Sequence, residues 1–559
     1  MNQMTEYRRW LEQADASLQD ELAAMSNTDI EEAFHQNLSF GTGGLRGILG
    51  AGTNRMNVHT VAKASQGLAD HIIKTVPAQK QSIAISYDSR IRSALFARTV
   101  ASVFAANGIL TWIYPTLMPT PCLSFAVRTL GCAAGVMITA SHNPAQYNGY
   151  KVYGPDGCQI TTKTAEAILA EIDRLDIFND IRSLTFDEAV EKGMIRYVPA
   201  SVVDAFIAAV QEQSLLGTAE TDKNISIVYT PLNGTGREPV MRALHKAGYT
   251  NVVVVLEQEE PDGRFPTCPY PNPENDDALS LGIECAKLRG AALLLATDPD
   301  CDRVGVVVRT ESGAYQRLSG NETGLLLLDY ICARRRAAGM MPDDPVLIKT
   351  IVTTALAERI ARCYGLHTIN VLTGFKYIGE QIGFLEQQGK VESFVFGFEE
   401  SCGYLSGGYV RDKDGVGAAL QICEMAAYYA ARSIGLFERL EELYYEYGYC
   451  FDTLHSYEFK GIDGLANMRR IMKKFRAMTD TLCNKKIENR LDYLAGVEGL
   501  PKSDVLKFVL VSGDSVVVRP SGTEPKLKLY ISVSAIDKAS AEEKERQLVE
   551  DIERMIRSD

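Results

Sequence analysis

Three aspartates stand close together near the middle of the chain and could hold a metal ion. Asp298, Asp300 and Asp302 lie between two apolar segments, 291–296 and 304–308. Three carboxylates at this spacing repel one another unless a cation lies between them, and their hard oxygen atoms suit Mg²⁺. An EF-hand is excluded because Arg303 and Arg309 stand where its loop needs Gly and Glu. The pattern therefore favours a metal site over a solvated acidic turn.

Ser141 is the candidate nucleophile, in the segment Thr139-Ala140-Ser141-His142-Asn143-Pro144. A serine hydroxyl is a weak nucleophile unless a neighbour takes its proton or cations stabilise the charge, and His142 or Lys151 could do either. Ser141 lacks the flanking glycines of a serine-hydrolase elbow, which excludes that class of enzyme. On these residues alone, a polar turn is the better interpretation.

Two later clusters carry the groups that bind sugars and anions. Residues 397–401 combine Glu399 and Ser401, which can bond to hydroxyl groups, and Lys413 follows. Residues 519–528 combine Arg519, two hydroxyl side chains and two lysines, which are the donors that hold a phosphate. The first cluster alone is weak evidence, whereas the donor density of the second favours anion binding over a surface turn.

A glycine-rich segment at 40–47 resembles a nucleotide loop only superficially. Arg46 stands where the third glycine of a dinucleotide loop belongs, and the preceding segment is not clearly a strand. A Walker loop also fails, because Gly389-Lys390 is followed by Val391.

These clusters follow short apolar strands that alternate with helices. Such alternation predicts an α/β fold with ligands beyond the carboxyl ends of the strands. The strand–helix pattern occurs three times, and short strands with a final charged helix then indicate a smaller α+β domain. Apolar residues at helical spacing predict a helical segment over 1–35 that packs on the first domain. Predicted strands include 82–87, 109–114, 135–139, 225–229, 291–296, 346–349, 394–396, 505–510, 515–518 and 527–534.

Composition narrows the class of protein and its location. The chain has 559 residues and a net charge of -13, so a nucleic-acid or anionic-membrane partner is not expected. Its 12 cysteines are scattered without a Cys-x-x-Cys pair, which favours reduced thiols. The first residues are polar and the apolar runs are short, so the expected location is the cytoplasm.

Together the clusters resemble the α-D-phosphohexomutase superfamily. The segments at 139–144, 298–303, 397–401 and 519–525 resemble, in the same order, its phosphoserine, metal, sugar and phosphate loops. The resemblance covers roughly residues 38–535. Segments 40–47, 54–57, 229–236 and 349–353 resemble the branch that holds phosphoglucomutases and phosphopentomutases. Asn233 departs from that branch, where His is expected.

The resemblance implies four domains around a central cleft, over residues 1–200, 201–319, 320–450 and 451–559. It implies interconversion of glucose 1-phosphate and glucose 6-phosphate through a phosphoserine enzyme and a bisphosphorylated sugar. The implied cofactors are Mg²⁺ and an activating sugar bisphosphate such as glucose 1,6-bisphosphate. The implied partner is a phosphorylated monosaccharide, with no obligatory protein partner evident.

The resemblance also assigns site residues. The catalytic set is Ser141, His142, Lys151, Arg303 and Lys413, and the proton carrier stays open among His142, Lys151 and Lys413. The metal ligands are Ser141, through its phosphate, with Asp298, Asp300 and Asp302. The residues expected to bind substrate are Arg46, Thr373, Gly374, Glu399, Ser401, Lys413, Arg519, Ser521, Gly522 and Thr523.

The sequence leaves other activities open. The same chemistry serves a phosphopentomutase, a phosphomannomutase or a sugar bisphosphate synthase. A metal-dependent phosphatase and a non-catalytic sugar-phosphate-binding protein are alternatives of other classes.

Overall fold

The computed structural model describes residues 3–41, 43–217, 219–459, 464–497, 499–520 and 526–557. Within these ranges the chain forms four β-sheets with helices packed against them, which confirms the predicted α/β architecture with an α+β domain at its carboxyl end. All twelve cysteines are free thiols, as predicted, and Cys363 is exposed. Among the helices that the structure describes, none is long and apolar enough to cross a membrane.

A helical layer precedes the first sheet, as the sequence predicts. Its helices are α1 (Gln3–Gln13), α2 (Gln19–Ala24) and α3 (Asn27–Phe34). Trp10, Leu22 and Phe34 are fully or almost fully buried in one apolar cluster with Ile177 of the first domain. Burial of these large side chains attaches the layer to the first domain.

The first domain is a mixed sheet covered on both faces. Ile83 and Ile85 pack into one apolar cluster and Ala84 packs into another, so the strand that contains all three residues is buried on both faces of the sheet. The strand order is β1-β2-β6-β5-β3-β4-β7. The elements are β1 (Phe40–Gly41), β2 (Gly44–Ile48), α4 (Val58–Thr75), β3 (Ser82–Tyr87), α5 (Ser93–Ala106), β4 (Leu110–Ile113), α6 (Thr120–Thr129), β5 (Ala134–Ile138), β6 (Tyr147–Tyr153), α7 (Thr162–Ile172), α8 (Phe186–Glu191) and β7 (Ile195–Tyr197). Helix α9 (Ala200–Glu212) then connects the first domain to the second.

The second and third domains repeat the strand–helix pattern. The second has strand order β12-β11-β10-β8-β9 and the third β14-β13-β15-β16. The second contains β8 (Ile227–Thr230), α10 (Arg237–Lys246), β9 (Val252–Val254), α11 (Leu256–Glu259), α12 (Asp276–Arg289), β10 (Leu293–Thr297), β11 (Val304–Arg309) and β12 (Tyr315–Leu318). The third contains α13 (Gly320–Ala337), β13 (Val346–Thr350), α14 (Leu356–Tyr364), β14 (His367–Val371), α15 (Phe375–Gln387), β15 (Phe394–Glu399), β16 (Gly403–Leu405), α16 (Gly415–Ala430) and α17 (Leu436–Tyr447).

The fourth domain is an antiparallel sheet with helices. Its strand order is β17-β22-β21-β20-β19-β18. The elements are β17 (Tyr449–Glu458), α18 (Gly464–Arg476), β18 (Thr481–Leu482), β19 (Lys485–Asp492), β20 (Leu506–Leu510), β21 (Ser515–Pro520), β22 (Lys526–Ala535) and α19 (Lys538–Arg557). Val517 and Tyr530 of this sheet share an apolar cluster with Ile351 and Leu372 of the third domain, which holds the two domains together.

Candidate active site

The nucleophile loop follows β5 of the first domain. Ser141 is almost fully buried and has a left-handed backbone, with φ of 51°. This conformation is unusual for a residue other than glycine and is found at functional turns. The Ser141 N–H donates to Thr139 Oγ1 at 2.7 Å, which fixes the turn directly after the strand.

The acidic loop follows β10 of the second domain and folds back on itself. Asp298 Oδ1 accepts the backbone N–H groups of Asp302 at 3.1 Å and of Arg303 at 3.0 Å. Cys301 has a left-handed φ of 51°, and its N–H donates to the carbonyl oxygen of Asp298 at 2.9 Å. The turn gathers the three carboxylates within a buried volume.

The two loops meet across the boundary between the first and second domains. Ser141 Oγ donates to Asp298 Oδ2 at 2.6 Å and lies 3.2 Å from His142 Nδ1. Lys151 Nζ, on β6, lies 2.7 Å from Asp300 Oδ2, and Lys413 Nζ from the third domain lies 3.2 Å from Asp302 Oδ2. Three domains therefore contribute charged or nucleophilic groups to one point.

The carboxylate trio fits a hard divalent cation. Each aspartate offers an oxygen atom, and these three atoms lie within 4.8 Å of one another. Asp300 Oδ1 and Asp302 Oδ1 are buried without a hydrogen-bond partner, although buried polar atoms are normally bonded. Burial and the neighbouring charges of Asp300 and Asp302 raise the pKa of Asp298 well above its ordinary value. A cation among these oxygens would relieve both the repulsion and the unmet bonding.

The basic side chains around the trio have different charge states. Desolvation inside the cleft, with the nearby Arg303 and Arg46 guanidinium groups, lowers the pKa of His142 well below its ordinary value, so its imidazole is neutral. Burial opposes the charge on Lys413, but the carboxylates of Asp302, Asp412 and Glu399 outweigh it and raise the pKa of Lys413. The lysine therefore carries a positive charge at neutral pH.

The predicted site residues surround one cleft with a volume of about 910 Å³. Asp298 and Asp300 are fully buried beside it. The predicted residues that line it are Arg46, Ser141, His142, Lys151, Asp302, Arg303, Thr373, Gly374, Glu399, Ser401, Lys413 and Arg519. The predicted phosphate-binding residues Ser521, Gly522 and Thr523 lie outside the described residues.

One part of the cleft wall is built by the third and fourth domains and is cationic. Arg519 and Lys528 come from β21 and β22, and Lys376 from α15. Burial, which the positive charge of Arg519 reinforces, lowers the pKa of Lys376 to about 8. Burial and Arg519 also lower the pKa of Lys528. Several cationic side chains on one cleft wall are suited to binding an anionic group.

Acidic and hydroxyl groups line the third-domain wall. β15 ends at Glu399, which is buried 3.9 Å from Lys413 Nζ. Cys402, in the turn to β16, has a left-handed φ of 60° and lets the chain reverse after Ser401. Glu399 and Ser401 thus line the cleft with an acceptor and a hydroxyl that can bond to sugar hydroxyl groups.

Four residues around this site carry no role in the sequence-based assignment. Thr120 donates to Asp300 Oδ2 at 2.9 Å, and Glu274 forms a 2.6 Å ion pair with Arg303. Asp88 accepts a hydrogen bond from Thr139, and Arg90 donates one to the carbonyl oxygen of Pro144, both in the segment that carries Ser141. Asp88 and Arg90 follow a predicted strand, and this position at a strand end could have marked them as candidate site residues. Nothing in the sequence marks Thr120 or Glu274, which reach the site only through folding.

Family profiles match the chain in four consecutive segments. The profiles for "Phosphoglucomutase/phosphomannomutase, alpha/beta/alpha" domains I, II and III match residues 37–177, 204–313 and 319–447. The profile for the C-terminal domain of the same family matches residues 463–551. The chain belongs to the phosphoglucomutase/phosphomannomutase family, which confirms the family resemblance of its four loops.

Full-length relatives carry two different names. A phosphoglucomutase of Staphylococcus epidermidis is 36% identical over 544 residues, covering 94% of this chain and 96% of the relative. A Schizosaccharomyces pombe protein named "Probable phosphoribomutase" is 36% identical over 537 residues, covering 90% and 88%.

Solved structures share the fold at low sequence identity. A phosphoglucomutase/phosphomannomutase family protein from Burkholderia thailandensis superposes with a TM-score of 0.67 at 18% identity, covering 92% of this chain and 96% of that one. The Paramecium phosphoglucomutase pp63/parafusin, in an open form, also gives 0.67 at 18% identity, covering 90% of each chain. Both similarities support the four-domain architecture.

Proposed function

We propose that this chain is a phosphoglucomutase, which interconverts glucose 1-phosphate and glucose 6-phosphate and carries a phosphoryl group on Ser141. One observation carries the proposal: Ser141 Oγ lies 2.6 Å from a carboxylate of the buried trio, on the wall of a cleft that also contains the cationic Arg519. A phosphosugar in that cleft would have a phosphoryl carrier at one phosphate and an anion site for the other.

The proposed reaction has two transfers. The phosphoryl group leaves Ser141 Oγ for the free hydroxyl oxygen of the sugar monophosphate, and the hydroxyl proton passes to the enzyme. The bisphosphorylated sugar then reverses its orientation in the cleft. Its other phosphoryl group returns to Ser141 Oγ, the sugar oxygen regains a proton, and the isomeric monophosphate leaves. A sugar bisphosphate would restore the phosphoserine whenever it is lost.

Asp298, Asp300 and Asp302 would hold Mg²⁺, with the phosphate on Ser141 as the fourth ligand from the protein. The ion neutralises charge on the transferring phosphoryl group when bound. Arg303, which Glu274 orients at 2.6 Å, would add a second positive charge.

The proton carrier is proposed from geometry. His142 has a neutral imidazole with Nδ1 3.2 Å from Ser141 Oγ, so it can accept or return a proton. Lys151 and Lys413 are each paired with trio carboxylates and would stabilise charge. Arg46 donates to Asn143 Oδ1 at 3.0 Å and would bind the phosphate on Ser141 from the cleft side.

The remaining assignments concern substrate orientation. Glu399 and Ser401 would bind hydroxyl groups that both orientations of the sugar share. Thr373 and Gly374 would select between those orientations. Arg519, with Ser521, Gly522 and Thr523, would hold the phosphate that does not react. We also propose a cytoplasmic location, and domain boundaries near residues 200, 319 and 450.

Replacement of Ser141 tests the proposal. Intact mass should show one phosphate group on the native chain and none on Ser141→Ala, and the variant should lose turnover by about 10⁴-fold or more. The exposed Ser312 provides the matched control, since Ser312→Ala should keep both properties. Unchanged turnover in Ser141→Ala would refute the phosphoserine mechanism.

A substrate panel separates the related activities. The similarity to a phosphoribomutase-named relative makes phosphopentomutase the second candidate. Turnover of glucose 1-phosphate, mannose 1-phosphate and ribose 1-phosphate with Mg²⁺ and glucose 1,6-bisphosphate should favour glucose. A strong preference for ribose would establish the second candidate, and stoichiometric release of inorganic phosphate would indicate a phosphatase.

A further inference from the structure

Arg90 is a buried arginine behind the nucleophile loop, in the polar segment Asp88-Ser89-Arg90 that follows β3. Its side chain is 0% exposed. An arginine without access to water needs acceptors for its N–H groups, and the acceptors of both terminal nitrogens, Nη1 and Nη2, lie in residues 141–147.

Four backbone carbonyl groups accept hydrogen bonds from this guanidinium group. Nη2 donates to the carbonyl oxygens of Ser141 and Asn143. Nη1 donates to those of Pro144 at 2.9 Å and Tyr147 at 3.1 Å. One planar group therefore fixes four carbonyls over the turn that presents the nucleophile, which lysine with its single nitrogen cannot reproduce.

Asp88 completes the connection to the Ser141 backbone. Its carboxylate lies 3.4 Å from Arg90 Nε and accepts from Thr139 Oγ1 at 2.6 Å. Thr139 Oγ1 in turn accepts the Ser141 N–H at 2.7 Å. The N–H and the C=O of Ser141 are thus both held by this network, directly or through Thr139.

The second domain covers Arg90. The ring of Phe265 lies 5.0 Å from the guanidinium carbon, a favourable cation–π contact, and Arg90 forms a backbone bridge with Gly263. The arginine therefore lies between the nucleophile loop and the domain that supplies the aspartate trio.

We propose that Arg90 is a positioning residue for phosphoryl transfer, which holds Ser141 in its left-handed conformation against the carboxylate trio. A left-handed serine is strained and persists only where its surroundings enforce it. Because a trans peptide points its C=O and N–H in opposite directions, the bond from Arg90 to the Ser141 carbonyl also turns the His142 N–H away from Arg90. This inference rests on the proposed role of Ser141.

The decisive variant is Arg90→Lys, which keeps the charge and loses the planar fork. A misplaced nucleophile should lower kcat on glucose 1-phosphate by about 100-fold and leave KM within about threefold. Amide hydrogen exchange in peptides covering 141–149 should become faster, while the Mg²⁺ affinity measured by calorimetry stays near the native value. Arg98→Lys is the matched control, since Arg98 also stacks on a phenylalanine ring, Phe186, but lies at the surface.

A second variant keeps the test valid if Arg90→Lys does not fold. Thr139→Val preserves shape and Arg90 but removes the acceptor of the Ser141 N–H, and it should shift kcat and exchange in the same direction. A folded Arg90→Lys that keeps kcat within threefold and hydrogen exchange unchanged overturns the proposal. Where Arg90→Lys fails to fold, the same two results in Thr139→Val overturn it. A native chain without mutase turnover refutes the proposed function instead, and the exchange measurement still decides whether Arg90 holds the loop.

Discussion

At the scale of single residues, the cleft changes the acid–base behaviour of the groups that line it. Lys376 is the clearest case, because its pKa of about 8 lies close to neutral pH. Burial lowers this pKa most, Arg519 adds to the effect, and Cys158 and Glu380 oppose it. A lysine in this state is charged at pH 7 and largely neutral at pH 9.

This predicts a pH-dependent affinity for the substrate. As pH rises through about 8, Lys376 loses its charge, whereas the sugar phosphate, with a second pKa near 6, stays a dianion. We expect kcat/KM for glucose 1-phosphate to fall about tenfold between pH 7 and pH 9, which corresponds to the loss of one charge-assisted contact.

The matched variants isolate this lysine. Lys376→Arg stays charged over the whole range and should flatten the pH profile. Lys390→Arg, at an exposed lysine 3.6 Å from Asp344, should leave the profile as in the native chain. A profile that keeps its slope in Lys376→Arg would assign the pH dependence to another group.

At the scale of elements, the strands that carry apolar runs were predictable, whereas two strands that carry the site residues Arg46 and Lys151 were not. The buried strands before Ser141 and Asp298 were predicted within one or two residues. In contrast, β2 and β6 contain Arg46 and Lys151 and were not predicted. They pair with each other, with Arg46 opposite Gly149, and polar or glycine residues at such positions remove the alternation that marks a strand.

The β2–β6 pair makes Gly44 a sensitive position. Gly44 has φ of 136°, and a Cβ atom there would lie 1.8 Å from the Tyr150 carbonyl oxygen. Gly44→Ala should therefore push β2 off β6, move Arg46, and lower kcat/KM at least about tenfold.

Gly108→Ala is the control, because Gly108 also has a positive φ, 77°, but open space around it. That variant should lose about 1 kcal/mol of stability from backbone strain and keep kcat/KM within about twofold. Equal kinetic effects in the two alanine variants would show that strain alone, and not displacement of β2, is responsible.

At the scale of the whole molecule, four domains with clear sequence patterns meet in contacts that the sequence does not reveal. The order of the four loops identified the cleft. The pairing of Thr120 with Asp300, or of Lys413 with Asp302, depends on how separate domains pack, and no local pattern encodes it. This explains why the metal trio, Lys151 and Lys413 were predictable as site residues, whereas the pairing of each lysine with a particular carboxylate was not.

Metal binding should therefore stabilise the junction of the first and second domains. Mg²⁺ at about 100 times its dissociation constant stabilises the folded state by about 2.7 kcal/mol, so a melting transition of that junction should rise on the order of 5 °C. EDTA should reverse the shift and abolish turnover. The measurement is a thermal melt with and without Mg²⁺.

Two variants test the origin of that shift. Asp300→Asn removes a charge from the trio and should abolish most of the response to Mg²⁺. Asp277→Asn, at an exposed helix position outside the trio, should respond like the native chain. An equal shift in both variants would place the stabilising ion elsewhere.

The polar contacts across domain boundaries also have an evolutionary consequence. Each domain can be recognised separately, yet the hydroxyl of Ser141 donates a hydrogen bond to a carboxylate of the second domain, and Lys151 and Lys413 form ion pairs with two others. If one domain were replaced by recombination with that of a distant relative, its boundary side chains would match the contact partners of the relative's other domains and not those of this chain. We therefore expect the four domains to be inherited as a set, and chimeras to work only when donor segments keep both partners of each pair.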